Sequence, residues 1–425
     1  MPKKNKVLML VENLSVPADP RVWREAQALH DFGYDVSVIC PQGEDRDLEL
    51  YTCIDDIHIY RYPLSMTINK STDYIKEYMT AMLNTLGLTF KVWKRHGFDV
   101  IHAANPPDTF FAIGLLYRLL GKKFVFDQHD LSPELFHVRF KDRMKSLYKL
   151  LLFFEWCSYQ TANIVITTNE SQKRNAIERG HCRPEKVFVV RNGPDLNRLV
   201  PGEPEPELKK GRRYLLAYVG VMGLQDGVDY TLRALHELVH KRGRQDISLV
   251  LMGDGDQLPT LQALAHELDL DDYVNFTGWV AKNDLVRYLT VTDVGLCPDP
   301  RNELNDYCTM LKAMEYMAIS KPIVAFDLLE TRYSAQEAAL YAEPNLVEDF
   351  ADKIEILLDD EDLRCKMGAF GRKRVEDELA WSRTREKLRL AYQKLFHITP
   401  EPAAKPSEPE TEQPAPDSVS VPVGH

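Results

Sequence analysis

The sequence predicts an α/β protein made of two doubly wound, Rossmann-like domains. Its 425 residues exceed what one ordinary hydrophobic core supports, so two domains are expected from length alone. Short apolar, β-rich segments alternate with longer helical patterns, which indicates parallel sheets covered by helices on both faces. A polar segment at 192–213, rich in Pro, Gly and charge, interrupts the alternation before it restarts.

The predicted strands are nearly continuous runs of apolar residues, as expected for strands buried on both faces. They lie at 6–11, 35–40, 99–103, 123–127, 163–167 and 186–190, and then at 214–220, 248–253, 273–278, 294–298 and 322–326. Predicted helices lie at 20–32, 71–95, 108–120, 140–161, 170–179, 228–242, 256–268, 282–290, 309–318, 346–358 and 361–376. Asp19 and Pro20 suit the N-cap and the first position of the first helix.

The pattern divides the chain into five parts. These are an N-terminal domain at 1–198, a linker at 199–213, a C-terminal domain at 214–380, an amphipathic helix at 381–397 and a Pro- and Glu-rich tail at 398–425. One interpretation of the helix is that it crosses back to the first domain, whereas the tail has little to bury and is predicted to be disordered. Ligands of doubly wound sheets bind at the carboxyl ends of the strands, so the predicted site is a cleft between the domains.

Composition and charge exclude several classes of protein. The formal net charge of −11 opposes a dedicated nucleic-acid binder, which needs a surplus of Lys and Arg, so no nucleic-acid partner is expected. Seven cysteines are scattered without metal-ligand spacing, which fits a reducing compartment. The N-terminal apolar run stops at Glu12 and predicts a strand rather than a signal peptide. No segment approaches the roughly 20 apolar residues that cross a bilayer, so a cytoplasmic location is expected.

The segment at 302–326 has the strongest chemical character. A polar loop leaves a strand, a helix begins near Thr309, and Lys312 and Glu315 lie three residues apart on one helix face. Unpaired N–H groups at a helix N-terminus favour a diphosphate. Lys312 would add a positive charge, and Glu315 would accept hydrogen bonds from a ribose diol. The same spacing also fits a Lys–Glu pair on an exposed surface helix.

This segment, ND-x-x-TM-x-K-x-MEYMA-x-x-KP-x-VAFDLLETR, closely resembles the donor-binding segment of glycosyltransferase family four, in its bacterial polysaccharide-type members. The resemblance covers roughly residues 6–397 and continues through DPRVWREAQAL, IHAANPPDT, KFVFDQHDLSPE, VITTNES, VVRNGPD, AYVGVMGLQDGVDYTLRAL, LVLMGDGDQ, VNFTGWV and VGLCPDP. Membership implies the GT-B architecture, in which two facing Rossmann-like, doubly wound domains enclose an interdomain cleft. It also implies a nucleotide-sugar donor as substrate, retention of anomeric configuration, no divalent metal in the active site and no further cofactor.

The resemblance assigns roles to residues of the donor side. Glu315 matches the second of two glutamates that the family places with seven residues between them, and is expected to hold the donor ribose. The first glutamate is replaced by Tyr307, so the sugar hydroxyls must be held differently, and Asp306 is the candidate substitute. Lys312 lies where polysaccharide-type members carry a lysine. The backbone amides expected to face the diphosphate are those of Thr309, Met310 and Leu311.

The loop after the first strand of the C-terminal domain departs from the family pattern. Many members carry an Arg and a Lys there, both of which contact the diphosphate, but GVMGLQDG at 220–227 has neither. Gly220 and Gly223 still permit a close approach of the backbone to a ligand, and an ordinary strand–helix turn is the alternative. The cationic role would then fall on Lys312.

In the N-terminal domain, His129 follows a predicted strand and aligns with the family histidine that faces the donor sugar. A structural role is the alternative for this histidine. Asp130 and Glu134 are weaker candidates for positioning the acceptor or the histidine. His102, at the end of the preceding strand, is also a weak candidate, because a hydrogen-bonded structural histidine is common there.

Two further sequence patterns are typical of metal binding and of membrane binding. Asp254 and Asp256 spell the D-x-D motif of metal-dependent glycosyltransferases, but such triplets arise by chance in an acidic chain, so a turn without metal is predicted. The segment at 140–156 mixes basic residues with Leu, Phe and Trp. It fits either peripheral contact with the inner face of the cytoplasmic membrane or an ordinary domain helix.

These observations predict a retaining, metal-independent glycosyltransferase of the hexosyltransferase type. It would move a sugar from a nucleotide sugar to a glycan or lipid-linked acceptor, in the biosynthesis of cell-surface polysaccharide. One alternative is a sugar-nucleotide epimerase of the same fold. Another is a non-catalytic nucleotide-sugar or glycan-binding protein, which Tyr307 and the missing Arg and Lys favour.

Overall fold

The computed structural model describes residues 4–43, 46–63, 71–140 and 144–398, without the side chains of 71–78, 139 and 282. It contains an eight-stranded sheet followed by a six-stranded sheet. The tail predicted to be disordered lies outside the described residues from 399 onward. Within the described residues, no helix combines the length and the apolar character that crossing a bilayer requires.

The first sheet has the order β3-β4-β2-β1-β5-β6-β7-β8, and all its neighbours are parallel except the antiparallel pair β3–β4. Its strands are β1 (Lys6–Leu10), β2 (Asp35–Pro41), β3 (Tyr51–Ile54), β4 (Ile57–Tyr62), β5 (Val100–Ala104), β6 (Lys123–Gln128), β7 (Ile164–Thr167) and β8 (Val187–Val189). Strands β3 and β4 lie outside the predicted strands, because segments such as IHIYRY alternate polar with apolar residues instead of forming an apolar run.

The helices of this part are α1 (Pro20–Asp31), α2 (Ser71–Arg95), α3 (Phe111–Leu119), α4 (Ser132–Phe140), α5 (Lys145–Thr161) and α6 (Glu170–Glu178). The predicted cap of α1 is confirmed, since Asp19 Oδ1 accepts the Arg21 and Val22 amides, each at 3.0 Å. The single helix predicted at 140–161 is wrong at its start. Helix α4 ends at Phe140, α5 begins at Lys145, and residues 141–143 are outside the description.

The second sheet is parallel throughout, with the order β11-β10-β9-β12-β13-β14. Its strands are β9 (Tyr214–Val219), β10 (Ile247–Met252), β11 (Val274–Gly278), β12 (Val294–Cys297), β13 (Ile323–Phe326) and β14 (Ala339–Ala342). Its helices are α7 (Val228–His236), α8 (Leu258–Glu267), α9 (Lys282–Val291), α10 (Leu311–Ala318), α11 (Leu329–Ala335), α12 (Val347–Asp359) and α13 (Glu361–Arg374). Strand β14 and helix α11 lie outside the predicted elements, because they are too short to show a clear period.

The last described helix, α14 (Trp381–Phe396), packs against the first sheet and not the second. Its buried side chains Leu388, Ala391, Tyr392 and Leu395 share a core with α1 and with strands β1 and β2. A separate core on the opposite face of the same sheet contains residues of α2, α3, α5 and α6. Helices therefore cover both faces of the first sheet.

Candidate active site

Lys312 lies in the first turn of α10 and is buried, with a side chain 9% exposed. Its Nζ donates to Asp299 Oδ1 at 2.6 Å and lies 4.9 Å from the centre of the Tyr218 ring. Burial would lower the pKa of Lys312, but the Asp299 charge raises it above its ordinary value, so the ammonium stays charged. The exposed Lys312–Glu315 pair suggested by spacing is wrong, because Lys312 is not at the surface.

The loop after β9 lies against this ammonium. A methyl group added to Gly220 would lie 3.3 Å from Lys312 Cε, and the φ of Gly220 is +145°, so glycine permits the approach. The Gly223 amide donates to Asp226 Oδ2 at 3.0 Å. Burial raises the pKa of Asp226, and the Lys312 charge opposes that shift. Two predicted donor-side elements, the loop and Lys312, are therefore brought together.

The start of α10 holds the other predicted donor-side residues. Met310 is the N-cap residue, and Leu311, the first helical residue, is exposed. Glu315 is half-buried one turn further on and has a partner of its own. The ribose and diphosphate roles of these residues remain predictions, since they concern a ligand.

Asp306, the candidate substitute for the missing glutamate, points to its own neighbours. Its Oδ1 accepts the Leu329 amide at 3.4 Å, and its Oδ2 lies 3.6 Å from Arg301 Nε. Tyr307, which replaces the family glutamate, is exposed. A sugar-binding role for Asp306 stays a prediction and would have to compete with the Arg301 contact.

On the side of the first domain, His129 is held by Asp127, near the carboxyl end of β6. Asp127 Oδ2 accepts from His129 Nε2 at 2.6 Å, and the His129 side chain is 16% exposed. The His129 backbone amide donates to Asn105 Oδ1 at 2.6 Å. A carboxylate on one ring nitrogen fixes the tautomer and the orientation of an imidazole, so His129 is a positioned side chain.

Asp127 is the centre of a buried cluster of charges. It also accepts from Arg21 Nη2 at 3.1 Å and from His102 Nε2 at 3.2 Å. Burial alone would raise the pKa of Asp127, but the charges of His129 and Arg21 hold it well below its usual range. Burial raises the pKa of the neighbouring Glu25 carboxyl well above its ordinary value, despite the charge of Arg21. The same cluster therefore shifts the pKa values of these two carboxyl groups in opposite directions.

The weaker candidates of the first domain lie in different surroundings. His102 is fully buried, with Nδ1 hydrogen-bonded to the Tyr392 hydroxyl at 2.8 Å, so its contacts are internal. Glu134 is buried in an ion pair with Arg179, which also donates to Glu155 at 2.6 Å. Asp130 is exposed, although the surrounding protein raises its pKa through desolvation. Of the three, Asp130 has the position that an acceptor could reach, and the acceptor-side roles remain predictions.

The donor-side loop also contacts the first domain directly. Asn169 Nδ2 donates to the Thr309 hydroxyl at 3.1 Å, and Glu330 of α11 accepts from the Ser171 hydroxyl at 2.6 Å. Cys308, between Tyr307 and Thr309, shows how closely the two sides approach. Burial raises its thiol pKa to about 12, and the charges of Asp130 and Asp299, one from each domain, add to that rise.

Among the described residues, Glu25, His102 and Asp127 bring three ligand-type atoms within 4.8 Å of one another. Arg21 supplies a positive charge to this group, at 2.9 Å from Glu25 and 3.1 Å from Asp127. The Asp254–Asp256 triplet forms the turn predicted for it, with Asp254 Oδ1 accepting the Gly255 amide at 2.7 Å. That turn packs on the loop after β9, since a methyl group on Gly255 would lie 2.5 Å from the Met222 carbonyl oxygen.

Sequence reasoning missed several residues of the site. Asp127 and Asp299 carry the main ion pairs, yet the sequence analysis gave neither a role. Both end or follow a buried strand, and an acid in that position was the available signal. Asn169 and Glu330 had no such signal, because their partners lie more than 130 residues away in sequence.

The fold and the cleft define the class: the chain has the GT-B fold of two-domain glycosyltransferases. A sucrose-phosphate synthase from Thermosynechococcus elongatus superposes with a TM-score of 0.75 at 16% identity, covering 93% of this chain and 100% of that one. At this identity the likeness establishes the fold alone, and it confirms the predicted architecture of two Rossmann-like domains.

Family models then identify the group within that class. The model for Glycosyltransferase Family 4 matches residues 21–198, and the model for Glycosyl transferases group 1 matches residues 213–360. The chain belongs to glycosyltransferase family 4, as the motifs predicted.

Two relatives show the range of proteins that this chain resembles. A D-inositol 3-phosphate glycosyltransferase from Corynebacterium jeikeium is 25% identical over 249 residues, which are 55% of this chain and 58% of that protein. A UDP-Gal:alpha-D-GlcNAc-diphosphoundecaprenol alpha-1,3-galactosyltransferase from Escherichia coli is 23% identical over 283 residues, 65% of this chain and 68% of the relative. The match thus spans little more than half the length of the first relative.

Proposed function

We propose that this chain is a retaining, metal-independent hexosyltransferase that moves a sugar from a nucleotide-sugar donor to a glycan or lipid-linked acceptor. The observation that carries the proposal is the buried Lys312 ammonium at the start of α10, beside the Gly220 loop. A buried cation at a helix N-terminus is suited to an anionic ligand, since the helix dipole and the free N–H groups act in the same direction.

The donor diphosphate lies between α10 and the loop after β9. An ammonium has three N–H donors, and the bond to Asp299 takes one, which leaves two for phosphate oxygens. Asp299 fixes where the ammonium lies, so little reorganisation is needed when the diphosphate leaves. The amides of residues 309–311 add hydrogen bonds to the phosphates, and Glu315 accepts from the ribose hydroxyls.

The sugar lies on the side of His129, whose orientation is fixed by Asp127. The acceptor hydroxyl oxygen bonds to the anomeric carbon on the face from which the diphosphate departs, and its proton passes to the leaving phosphate oxygen. Catalysis then depends on positioning and on stabilising the leaving group, and it requires neither a metal ion nor another cofactor. The Escherichia coli relative, named for a UDP-Gal donor and a diphosphoundecaprenol-linked acceptor, supports this pairing of substrates.

The acceptor class and the location follow from one face of the first domain. Helices α2, α3 and α5 pack on the same side of the first sheet, and their outward residues include an unusual number of large apolar side chains. These exposed residues are Met79, Leu83, Leu86 and Phe90 on α2, Leu115, Leu116 and Leu119 on α3, and Leu150, Phe153 and Trp156 on α5. We call this set the outer helical face.

The charges on the outer helical face have one sign. On the described side chains of α2, α3 and α5 the only carboxylate is Glu155, which is buried, although the whole chain carries a net charge of −11. Among the described side chains of these helices, the exposed charged residues are all basic: Lys91, Lys94, Arg95, Arg118, Lys145 and Lys149. We propose that this face, including the part of the predicted segment 140–156 that lies in α5, binds an anionic membrane surface on its cytoplasmic side, where a lipid-linked acceptor for cell-surface polysaccharide is available.

The reaction is tested by incubating the protein with UDP- and GDP-hexoses, with and without glycan and lipid-linked acceptors, in excess EDTA. We expect transfer to an acceptor, with the anomeric configuration of the donor preserved in the product by NMR. Turnover that stops in chelator and returns with Mg²⁺ or Mn²⁺ would contradict metal independence. Conversion of the donor without an acceptor would instead indicate the epimerase, and binding without any turnover would indicate the non-catalytic protein.

A further inference from the structure

The N-terminus of α6, in the first domain, contacts the loop that precedes α10 in the second. Asn169 is fully buried and caps α6, with Oδ1 accepting the Gln172 amide at 2.8 Å. Its Nδ2 group donates to the Tyr307 carbonyl oxygen at 2.8 Å and to the Thr309 hydroxyl at 3.1 Å. One side chain therefore completes a helix of one domain and holds a loop of the other.

A carboxylate from the second domain holds the same N-terminus. Glu330, which is 2% exposed in the first turn of α11, accepts the Ser171 amide at 3.1 Å and the Ser171 hydroxyl at 2.6 Å through Oε1. Its other oxygen lies 3.4 Å from Arg191 Nη2. Free N–H groups and the helix dipole favour a carboxylate at this position. Glu330 thus caps α6 from the opposite domain.

The N-terminus of α6 also reaches His129. Gln172 Nε2 donates to the His129 carbonyl oxygen at 3.4 Å, while Gln172 Oε1 accepts from the Thr168 hydroxyl at 2.8 Å. A continuous set of contacts therefore runs from the loop before α10, through Asn169 and Gln172, to His129. These hydrogen bonds connect the two halves of the proposed site through the side chains of Asn169 and Gln172 rather than through a ligand.

We infer that Asn169 and Glu330 are positioning residues that keep the loop before α10 in register with His129. The inference rests on the proposed function and concerns the catalytic step. Lys312, Asp299, the Gly220 loop and the amides of residues 309–311 all belong to the second domain, so the groups that bind the diphosphate stay together wherever the first domain lies. The distance between the held diphosphate and His129, in contrast, depends on the contacts across the interface, and misplacement of a reacting group reduces the rate more than the affinity.

Two variants break the interface in different ways. Asn169→Asp keeps a good N-cap acceptor for the Gln172 amide but replaces the amide donor with a carboxylate facing the Tyr307 carbonyl oxygen. Glu330→Ala removes the carboxylate from Ser171. The matched control is Glu348→Ala, because Glu348 is also the second residue of a helix, α12, and is exposed. Melting temperatures identify any variant that fails to fold. If Glu330→Ala does not fold, the inference is tested with Asn169→Asp, which preserves the cap.

The measurements are kcat and KM with the active nucleotide sugar, and the Kd of UDP and GDP by calorimetry. We expect kcat to fall at least fivefold in each folded interface variant, while its Kd for the nucleoside diphosphate stays within twofold of wild type. In the control variant, both kcat and Kd should stay within twofold of wild type. A smaller fall in kcat, or a parallel loss of diphosphate affinity, overturns the inference. Failure of the wild-type protein to transfer sugar at all contradicts the proposed function instead, so the two failures are distinguishable.

Discussion

At the scale of single residues, the candidate site is built from acids at the carboxyl ends of buried strands. Asp127 is the second-last residue of β6 and orients His129, while Asp299 follows β12 and orients Lys312. Each acid is 2% exposed or less, so each is stable as a charge because it has a cationic or hydrogen-bonding partner. The two acids orient the two side chains that would act on a donor, one in each domain.

The role of Lys312 is tested by removing its charge. Lys312→Met alone would leave Asp299 buried without a cation, which costs about 3–5 kcal/mol of stability, so the informative variant combines it with Asp299→Asn. We expect this double variant to fold and to lose about 1.5–3 kcal/mol of donor binding or leaving-group stabilisation. That loss corresponds to about 10- to 150-fold in kcat/KM, measured by steady-state kinetics.

A surface ion pair provides the control. Lys373 and Asp377 are 2.7 Å apart, with side chains 78% and 52% exposed, and Lys373→Met with Asp377→Asn makes the same chemical change away from the cleft. Such exposed pairs contribute at most about 1 kcal/mol to stability, and turnover should not change. Wild-type turnover in the folded Lys312/Asp299 double variant would remove the donor-site assignment.

Glu315→Gln should weaken the binding of nucleotide sugars but not the binding of sugar phosphates.

At the scale of elements, the outer helical face is the clearest departure from an ordinary domain surface. Residues 79, 83, 86 and 90 of α2 form one stripe at helical spacing, and this stripe points away from the core instead of into it. An apolar stripe in water is unfavourable unless something covers it, and the basic residues around it favour an anionic surface over a second copy of this acidic chain.

Membrane binding is tested by co-sedimentation with vesicles. We expect the protein to sediment with phosphatidylglycerol vesicles at low salt, and much less with phosphatidylcholine vesicles. Leu83→Ser combined with Phe153→Ser should reduce binding at least tenfold, because each large apolar side chain contributes about 1.5–3 kcal/mol when buried. The control, Ile356→Ser with Leu390→Ser, changes two exposed apolar residues on α12 and α14. Equal binding by both double variants would contradict the assignment of this face.

At the scale of the whole molecule, the last helix connects the end of the chain to its beginning. Helix α14 buries Leu388, Tyr392 and Leu395 in the core of the first sheet, and the Tyr392 hydroxyl is hydrogen-bonded to His102. Arg385 also pairs with Asp31 of α1 at 2.8 Å. The first domain therefore depends on residues that the chain supplies after the second domain is complete.

Truncation measures that dependence. Ending the chain after Pro400 should leave the melting temperature and diphosphate binding nearly unchanged. Ending it before Trp381 should lower the melting temperature sharply, because each lost apolar side chain contributes about 1.5–3 kcal/mol to a total of about 5–15 kcal/mol. Calorimetry of both truncated proteins checks this. Similar melting temperatures for the two would show that the packing of α14 contributes little.

Local patterns in the sequence are enough to predict the alternation of strands and helices, the cap of α1 and the family. These depend on local patterns: an apolar run that is buried on both faces, an Asp before Pro20, or a motif in one continuous segment. Local patterns also predicted Lys312 and His129, because each lies in or beside such a segment. They failed for β3 and β4, where polar residues interrupt the apolar run, and for α11, which has too few residues to show a period.

The partners of these residues depend on contacts between segments that are distant in the sequence. Lys312 pairs with Asp299 and not with Glu315, and Asn169 and Glu330 hold the α6 N-terminus between the domains. The outer helical face is likewise visible only once α2, α3 and α5 lie on one side of a sheet. Burial and pairing depend on surfaces that distant segments assemble together. A charged residue that is buried beside its partner and one that is exposed to water are written with the same letter in the sequence.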